Sequence, residues 1–154
     1  MTGVGERTGH FTAERYLALG ECGILAPDDR VELLDGLIVA MPPPSPRHDT
    51  AVERVQYALL RGLGLDVSTR AHLIVEVALS SLPQDRLTKP AIYARAGVPC
   101  YWIVNLRDGC VEVYRDVDRW RAEYRGVTRA AGEDTLAIDD FPGVPFQAAD
   151  FLPR

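Results

Sequence analysis

Residues Leu73–Leu106 read LIVEVALSSLPQDRLTKPAIYARAGVPCYWIVNL. The run from Leu73 to Leu79 shows no alternation of polarity apart from Glu76, which predicts a central strand covered on both faces. From Leu82 the pattern changes to one that predicts a helix ended by Gly97, and CYWIVNL follows as a second buried strand. A strand, a helix and a strand in this order predict an α/β (α+β) chain whose mixed sheet carries helices packed on it.

On the N-terminal side, Thr12 before AERYLAL predicts a capped short helix ended around Gly20 and Gly23. RVELLDGLIVA places two strand-like runs around Asp35-Gly36, a strong hairpin signal. Ser45 and Pro46 then suit the cap and first position of a helix with Val52, Val55, Leu59 and Leu63 on one face, and Glu53, Arg54 and Arg61 opposite. On the C-terminal side, Asp108-Gly109 predicts a hairpin into CVEVYRD, WRAEYRGVT a further strand, and the tail LAIDDFPGVPFQAADFL a loop with a short docking helix.

The chain has 154 residues, with 47% hydrophobic and 25% charged side chains, values that suit one globular domain over 1–154 with residues 1–10 as a tail. No apolar run approaches the ~18 residues of a membrane span, and MTGVGERTGHFTAER lacks the apolar core of a secretory signal; both predict a cytoplasmic protein without a membrane role. Cys22, Cys100 and Cys110 form no CxxC pair, which opposes a disulfide framework and a thiolate zinc site. A net charge of −5 and a pI near 5.2 oppose nonspecific polyanion binding, so a nucleic-acid role requires a local basic surface or a metal ion. No phosphate-binding glycine loop, HExxH or GxSxG occurs.

Two residues stand out. Glu76 is a carboxylate inside a buried strand, which is costly unless it is paired, protonated or bound to a metal. Lys89 is the only lysine among 17 Lys and Arg residues. Each has a plain alternative: Glu76 as a structural ion pair with an arginine, Lys89 as a solvated surface residue. Together they suit metal-assisted phosphodiester hydrolysis, in which the carboxylate binds a divalent cation and the ammonium orients water or stabilises developing charge. His48, near the start of the second helix, either faces the same cleft or merely caps and packs. Glu32, in the first hairpin, is either a solvent-face acid or a further metal-facing one.

RVELLDGLIVAMPPPSPRHDTAVERV, LIVEVALSSLPQDRLTKPAIYARAGVPCYWIVNL and CVEVYRD resemble the Uma-two family, restriction endonuclease-like proteins of the PD-(D/E)XK nuclease superfamily. The resemblance spans most of residues 11 to 152 and is most specific from Glu76 through Asp85 and Lys89 to YWIV. It implies a restriction endonuclease-like core, a DNA substrate, and Mg2+ or Mn2+ as cofactor. It assigns Glu76 as the metal-binding glutamate and Lys89 as the catalytic lysine, displaced onto the helix because Ala78 fills the usual E-x-K position. His48, Asp85 and Tyr93 are accessory residues on this reading.

Two departures follow. The family carries a strand and a PD pair, source of the first metal aspartate, before the glutamate strand; here only GLGLDVSTRAH (62–72) stands there, a shortened middle segment in which Asp66, or Glu32 from the hairpin, would substitute. Pro90 disfavours helical geometry at the residue before it, which predicts Lys89 at the start of a helix and Tyr93 one turn on. Two functions remain open: a metal-dependent endonuclease acting on DNA, and a catalytically inactive nuclease-fold protein serving as a binding or assembly module. A shortened sheet is also compatible with a homodimer covering its edge.

Overall fold

A computed structural model of the chain describes residues 10–41, 43, 45–63 and 71–153, with the backbone only at 60, 61 and 63. The chain divides into two compact units, Met1–Pro43 and Pro44–Arg154. In the first, the Thr12 hydroxyl accepts the Arg15 N–H at 3.3 Å and caps α1 (Ala13–Glu21). Strands β1 (Val31–Leu34) and β2 (Leu37–Ala40) pair antiparallel around Asp35 and Gly36, whose φ values are 48° and 81°. Two successive left-handed residues give the turn whose twist matches that of the strands, which accounts for the Asp-Gly pair.

The second unit begins with α2 (Pro46–Leu63), capped where Ser45 Oγ accepts the His48 N–H at 3.2 Å. Its inward stripe is Ala51, Val55, Ala58 and Leu59. The stripe therefore starts one residue before the expected Val52, with the small Ala51 fully buried against the sheet.

Strand β3 (Leu73–Ala78) runs parallel to β4 (Cys100–Asn105), and the chain crosses between them through α3 (Leu82–Leu87) and α4 (Lys89–Ala96). The single predicted helix is thus two. Pro90 has no N–H for the carbonyl one turn back and crowds Lys89, so the helix breaks at Thr88 and restarts at Lys89. Gly97, at φ 79°, ends α4 in the left-handed conformation.

Strands β5 (Cys110–Asp118) and β6 (Glu123–Ala130) continue the sheet antiparallel, in the order β3-β4-β5-β6. One parallel and two antiparallel pairings make it a mixed sheet. Among the described residues β3, predicted to be central, stands at the end of the ladder; β4 is the strand buried along its whole length.

Alternation along β4 divides the core. Cys100, Trp102 and Val104 pack with α2 and the C-terminal segment, while Tyr101 and Ile103 pack with α3, α4 and Tyr114. The tail, expected as a loop, forms a hairpin of β7 (Thr135–Ile138) and β8 (Phe141–Gln147) before a 3-10 turn at Ala148–Asp150. Leu136 and Ile138 alternate into the core on one side of the polar Asp139-Asp140 turn and Phe146 on the other. Pro142 and Pro145 are tolerated because a two-stranded ribbon leaves one side of each strand without a ladder to complete.

Candidate active site

Glu76 lies opposite Ile103 in the β3–β4 register, on the sheet face covered by α3 and α4. Beside it in the strand, Ala78 is fully buried and leaves room for longer side chains from the helices. Asp85, Lys89 and Tyr93 follow one another at four-residue steps across the Thr88 break, so all three reach toward β3.

The Lys89 ammonium sits 3.1 Å from Glu76 Oε1 and 3.0 Å from Asp85 Oδ1. The Tyr93 hydroxyl donates to the same Glu76 Oε1 at 2.6 Å. The Ser81 hydroxyl donates to Asp85 Oδ2 at 2.6 Å, and Tyr101 O–H donates to the Asp85 backbone carbonyl at 3.0 Å. The rings of Tyr93 and Tyr101 meet edge-on with centroids 5.0 Å apart, which fixes both hydroxyls.

Burial across this cluster is graded. The Asp85 side chain is 1% exposed and that of Lys89 7%, whereas Glu76 retains 26% and forms the cluster's outlet to solvent. Desolvation by itself would lower the pKa of Lys89, but the charges of Glu76 and Asp85 outweigh it and raise the group above the ordinary lysine value. The ammonium therefore remains protonated throughout the neutral range.

A second polar network braces the same helix. Glu112, buried on β5, accepts from Arg86 Nε at 3.0 Å, from Arg86 Nη2, and from Asn105 Nδ2 at 2.8 Å. Asn105 Nδ2 also donates to Asp108 at 2.9 Å. Burial pushes the Glu112 carboxyl up, but hydrogen bonds from Arg86 and Asn105 overcome this and hold it below the usual carboxylate range. Glu76, Ile103, Glu112 and Arg129 occupy one cross-strand row, so two adjacent residues of α3, Asp85 and Arg86, serve two acidic positions of the same sheet face.

Of the residues singled out in the sequence, the structure gathers Glu76, Asp85, Lys89 and Tyr93. Lys89 is neither on the surface nor solvated, and Glu76 has a lysine rather than an arginine for its partner. His48 lies in the first turn of α2, whose inward stripe faces the opposite side of the sheet. Its backbone N–H donates to Ser45, and its Nδ1 lies 3.4 Å from Asp49 Oδ1. Glu32 lies on β1, in the first unit, opposite Val39. Asp66 falls outside the described residues. The sequence reading passed over Ser81, Tyr101, Arg86 and Glu112. The signal for the first is the serine preceding Leu82-Pro83; Tyr101 and Glu112 look, in sequence, like ordinary members of apolar strands.

Mg2+ and Mn2+ take oxygen donors, and Glu76 meets that need with a partly exposed carboxylate whose Oε1 is occupied by Tyr93 and Lys89. Asp85 is sealed by Lys89 and Ser81. Among the described residues no group of three or more His, Cys, Asp or Glu side chains converges as a metal site. The cluster thus fits a divalent cation through one protein carboxylate.

A mixed sheet flanked by helices, with a strand glutamate joined to a helix lysine, defines a protein of restriction endonuclease-like fold. The chain matches, over residues 63–149, the family described as "Uma2: Putative restriction endonuclease". It belongs to that family, whose matched region takes in β3, α3, α4 and the whole of the Glu76–Lys89 cluster. No curated protein matches the chain. No helix among the described residues is long and apolar enough to cross a membrane.

Proposed function

We propose that this chain is an endonuclease that hydrolyses phosphodiester bonds of DNA with the aid of Mg2+ or Mn2+. The observation that carries this reading is the Lys89 ammonium, fixed 3.1 Å from Glu76 and 3.0 Å from Asp85. Held between two carboxylates, it keeps its proton and acts as a fixed charge and N–H donor, not as a base. Directed at a scissile phosphate, such a charge stabilises the negative charge that accumulates in the transition state. A compact ammonium suits this narrow setting better than a planar guanidinium.

Glu76 is the residue of the cluster that would hold the cation, because Tyr93 and Lys89 both engage Oε1 and thereby orient the carboxylate. When bound, the cation supplies Lewis acidity to a phosphoryl oxygen and acidifies its water. Asp85 fixes Lys89 from behind, and Ser81 and Tyr101 fix Asp85.

A second reading, an inactive nuclease-fold protein acting as a binding or assembly module, is favoured by the sealing of Asp85, which leaves Glu76 as the outward carboxylate of the cluster. Calorimetric titration of Mn2+ beside a plasmid-nicking assay decides between them, using wild type, Glu76→Gln and Lys89→Ala. The nuclease reading expects weak saturable binding, on the order of 0.1–1 mM because most ligands are water. Binding should be lost in Glu76→Gln and kept in Lys89→Ala, with nicking lost in both. A folded wild type that binds no Mn2+ and nicks no DNA would leave only the module.

A further inference from the structure

Helix α3 sits on the sheet mainly through polar side chains. Leu82 and Asp85 are its buried residues, Pro83 and Leu87 face solvent, and its first turn has no side-chain cap. The apolar stripe that fixes how most helices rest on a sheet is reduced here to Leu82. Two consecutive residues supply the rest of the seat. Asp85 reaches β3 through Lys89 and Glu76, and Arg86 reaches β5 through Glu112. Successive side chains leave a helix about 100° apart, so an anchor at 85 alone lets α3 roll about its axis, whereas anchors at 85 and 86 on different strands fix its rotation as well as its place.

The second anchor is rigid. Glu112 takes both Nε and Nη2 of Arg86, a two-pronged grip that fixes the plane of the guanidinium. Asp108 accepts the same Nη2 at 3.3 Å, and Asn105 Nδ2 joins Glu112 to Asp108. Asn105 Oδ1 in turn accepts the N–H groups of Arg107 at 3.1 Å and Asp108 at 3.0 Å, which ties the grip to the turn between β4 and β5. The Glu112 side chain is 3% exposed, and a buried ion pair of this kind adds little net stability over apolar side chains of similar size.

Glu112 makes no contact of its own with the Glu76–Lys89 cluster. Ile103 stands between Glu76 and Glu112 in the cross-strand row, and two strand spacings of about 4.8 Å set their backbones roughly 10 Å apart. Any hold that Glu112 has on Lys89 passes through Arg86, α3 and Asp85.

We propose that Glu112 is a positioning residue for Lys89: through Arg86 it sets the rotation of α3, and with it the place where Asp85 holds the ammonium against Glu76. The geometry carries the coupling between the two anchors. Its weight for catalysis rests on the nuclease reading, in which Lys89 acts as a fixed charge and is of use only where it is fixed.

Because Lys89 is the sole lysine, protein labelled with 15N only at lysine Nζ gives one side-chain ammonium signal. Its hydrogen exchange reports how firmly the group is held, with neither metal nor DNA present. Arg86→Met/Glu112→Leu removes the ion pair and leaves Asn105 its bond to Asp108. This variant should unfold at a urea concentration close to that of wild type, while its Lys89 ammonium exchanges roughly tenfold faster or more and the backbone amides of β4 exchange as before. Arg86→Lys keeps the charge without the two-pronged grip and should fall between the two. Unchanged Lys89 exchange in a folded Arg86→Met/Glu112→Leu protein would overturn the proposal, and so would faster exchange matched by the β4 amides, which is a loosening of the whole sheet. If that protein does not fold, Glu112→Gln and Arg86→Lys decide, and unchanged Lys89 exchange in both overturns it equally. Plasmid nicking separates this coupling from the nuclease reading. If Lys89 exchange responds as expected while wild type nicks no DNA, the nuclease reading fails and the coupling stands. If nicking depends on Glu76 but Lys89 exchange is unmoved in every variant, the reverse holds.

Discussion

Lys89 occupies a position where two opposing costs nearly cancel. Bringing an ammonium and a carboxylate out of water costs several kcal/mol per ion, and the pair recovers this only through close contacts on both sides. The contacts at 3.1 Å to Glu76 and 3.0 Å to Asp85 provide them. Removing one partner is therefore worse than removing both. Lys89→Ala should lower unfolding free energy by about 3 kcal/mol, since Asp85 is left without its ammonium partner in a sealed site. Lys89→Ala/Asp85→Asn should recover at least about 1 kcal/mol of that loss, and urea denaturation of the two variants beside Asp85→Asn completes the cycle. The raised pKa of Lys89 fixes the pH range of its contribution: it is fully present below the ordinary lysine value of 10.5 and lost as pH rises through the higher folded value. Glu112 has the opposite sign. Its depressed carboxyl contributes above the ordinary value of 4.5 and loses that contribution as pH falls through the lower folded value. Glu112→Gln should accordingly be less stable than wild type at pH 7, and its urea midpoint should fall less steeply between pH 4.5 and acid.

At the scale of elements, a glycine in a helix usually invites replacement, since Gly→Ala relieves about 1 kcal/mol of backbone entropy. Gly62, in the last turn of α2, reverses that sign. A Cβ there would lie 2.5 Å from the Phe146 ring and 2.9 Å from Val144, so the helix approaches β8 as closely as glycine permits. Gly62→Ala should lower the melting temperature by several degrees, because the buried Phe146 ring must move. The same close approach explains what was hard to read in the sequence. The Asp35-Gly36 hairpin, the Ser45-Pro46 helix start and the Gly97 stop were legible because each rests on local backbone chemistry. The β7–β8 hairpin was not, since two prolines in β8 argue against a strand until the ribbon is seen to leave one side of it without a ladder. The break at Thr88 was legible in part: Pro90 placed Lys89 at a helix start, but the turn before it gave no sign of being a separate helix.

For the whole molecule, the sequence carried the carboxylate and the ammonium of the candidate site but not the arrangement between them. Glu76 and Lys89 were conspicuous as a charge inside an apolar run and a solitary lysine. Their meeting depends on the parallel crossover from β3 to β4, which folds α3 and α4 back over Glu76. Asp85 and Tyr93 follow from four-residue spacing once that crossover is known; Tyr101 and Glu112 required the sheet register itself. That Lys89 is both the sole lysine and 7% exposed has a consequence for reagents. An amine-directed acylating label meets no other side-chain amine in this protein, and the contacts to Glu76 and Asp85 must loosen before this one reacts. The rate of acylation at Lys89 under native conditions, followed by mass spectrometry, therefore reads the loosening of this cluster with no other lysine competing. It should slow when Glu76 and Asp85 are intact and rise sharply when Asp85→Asn loosens their hold.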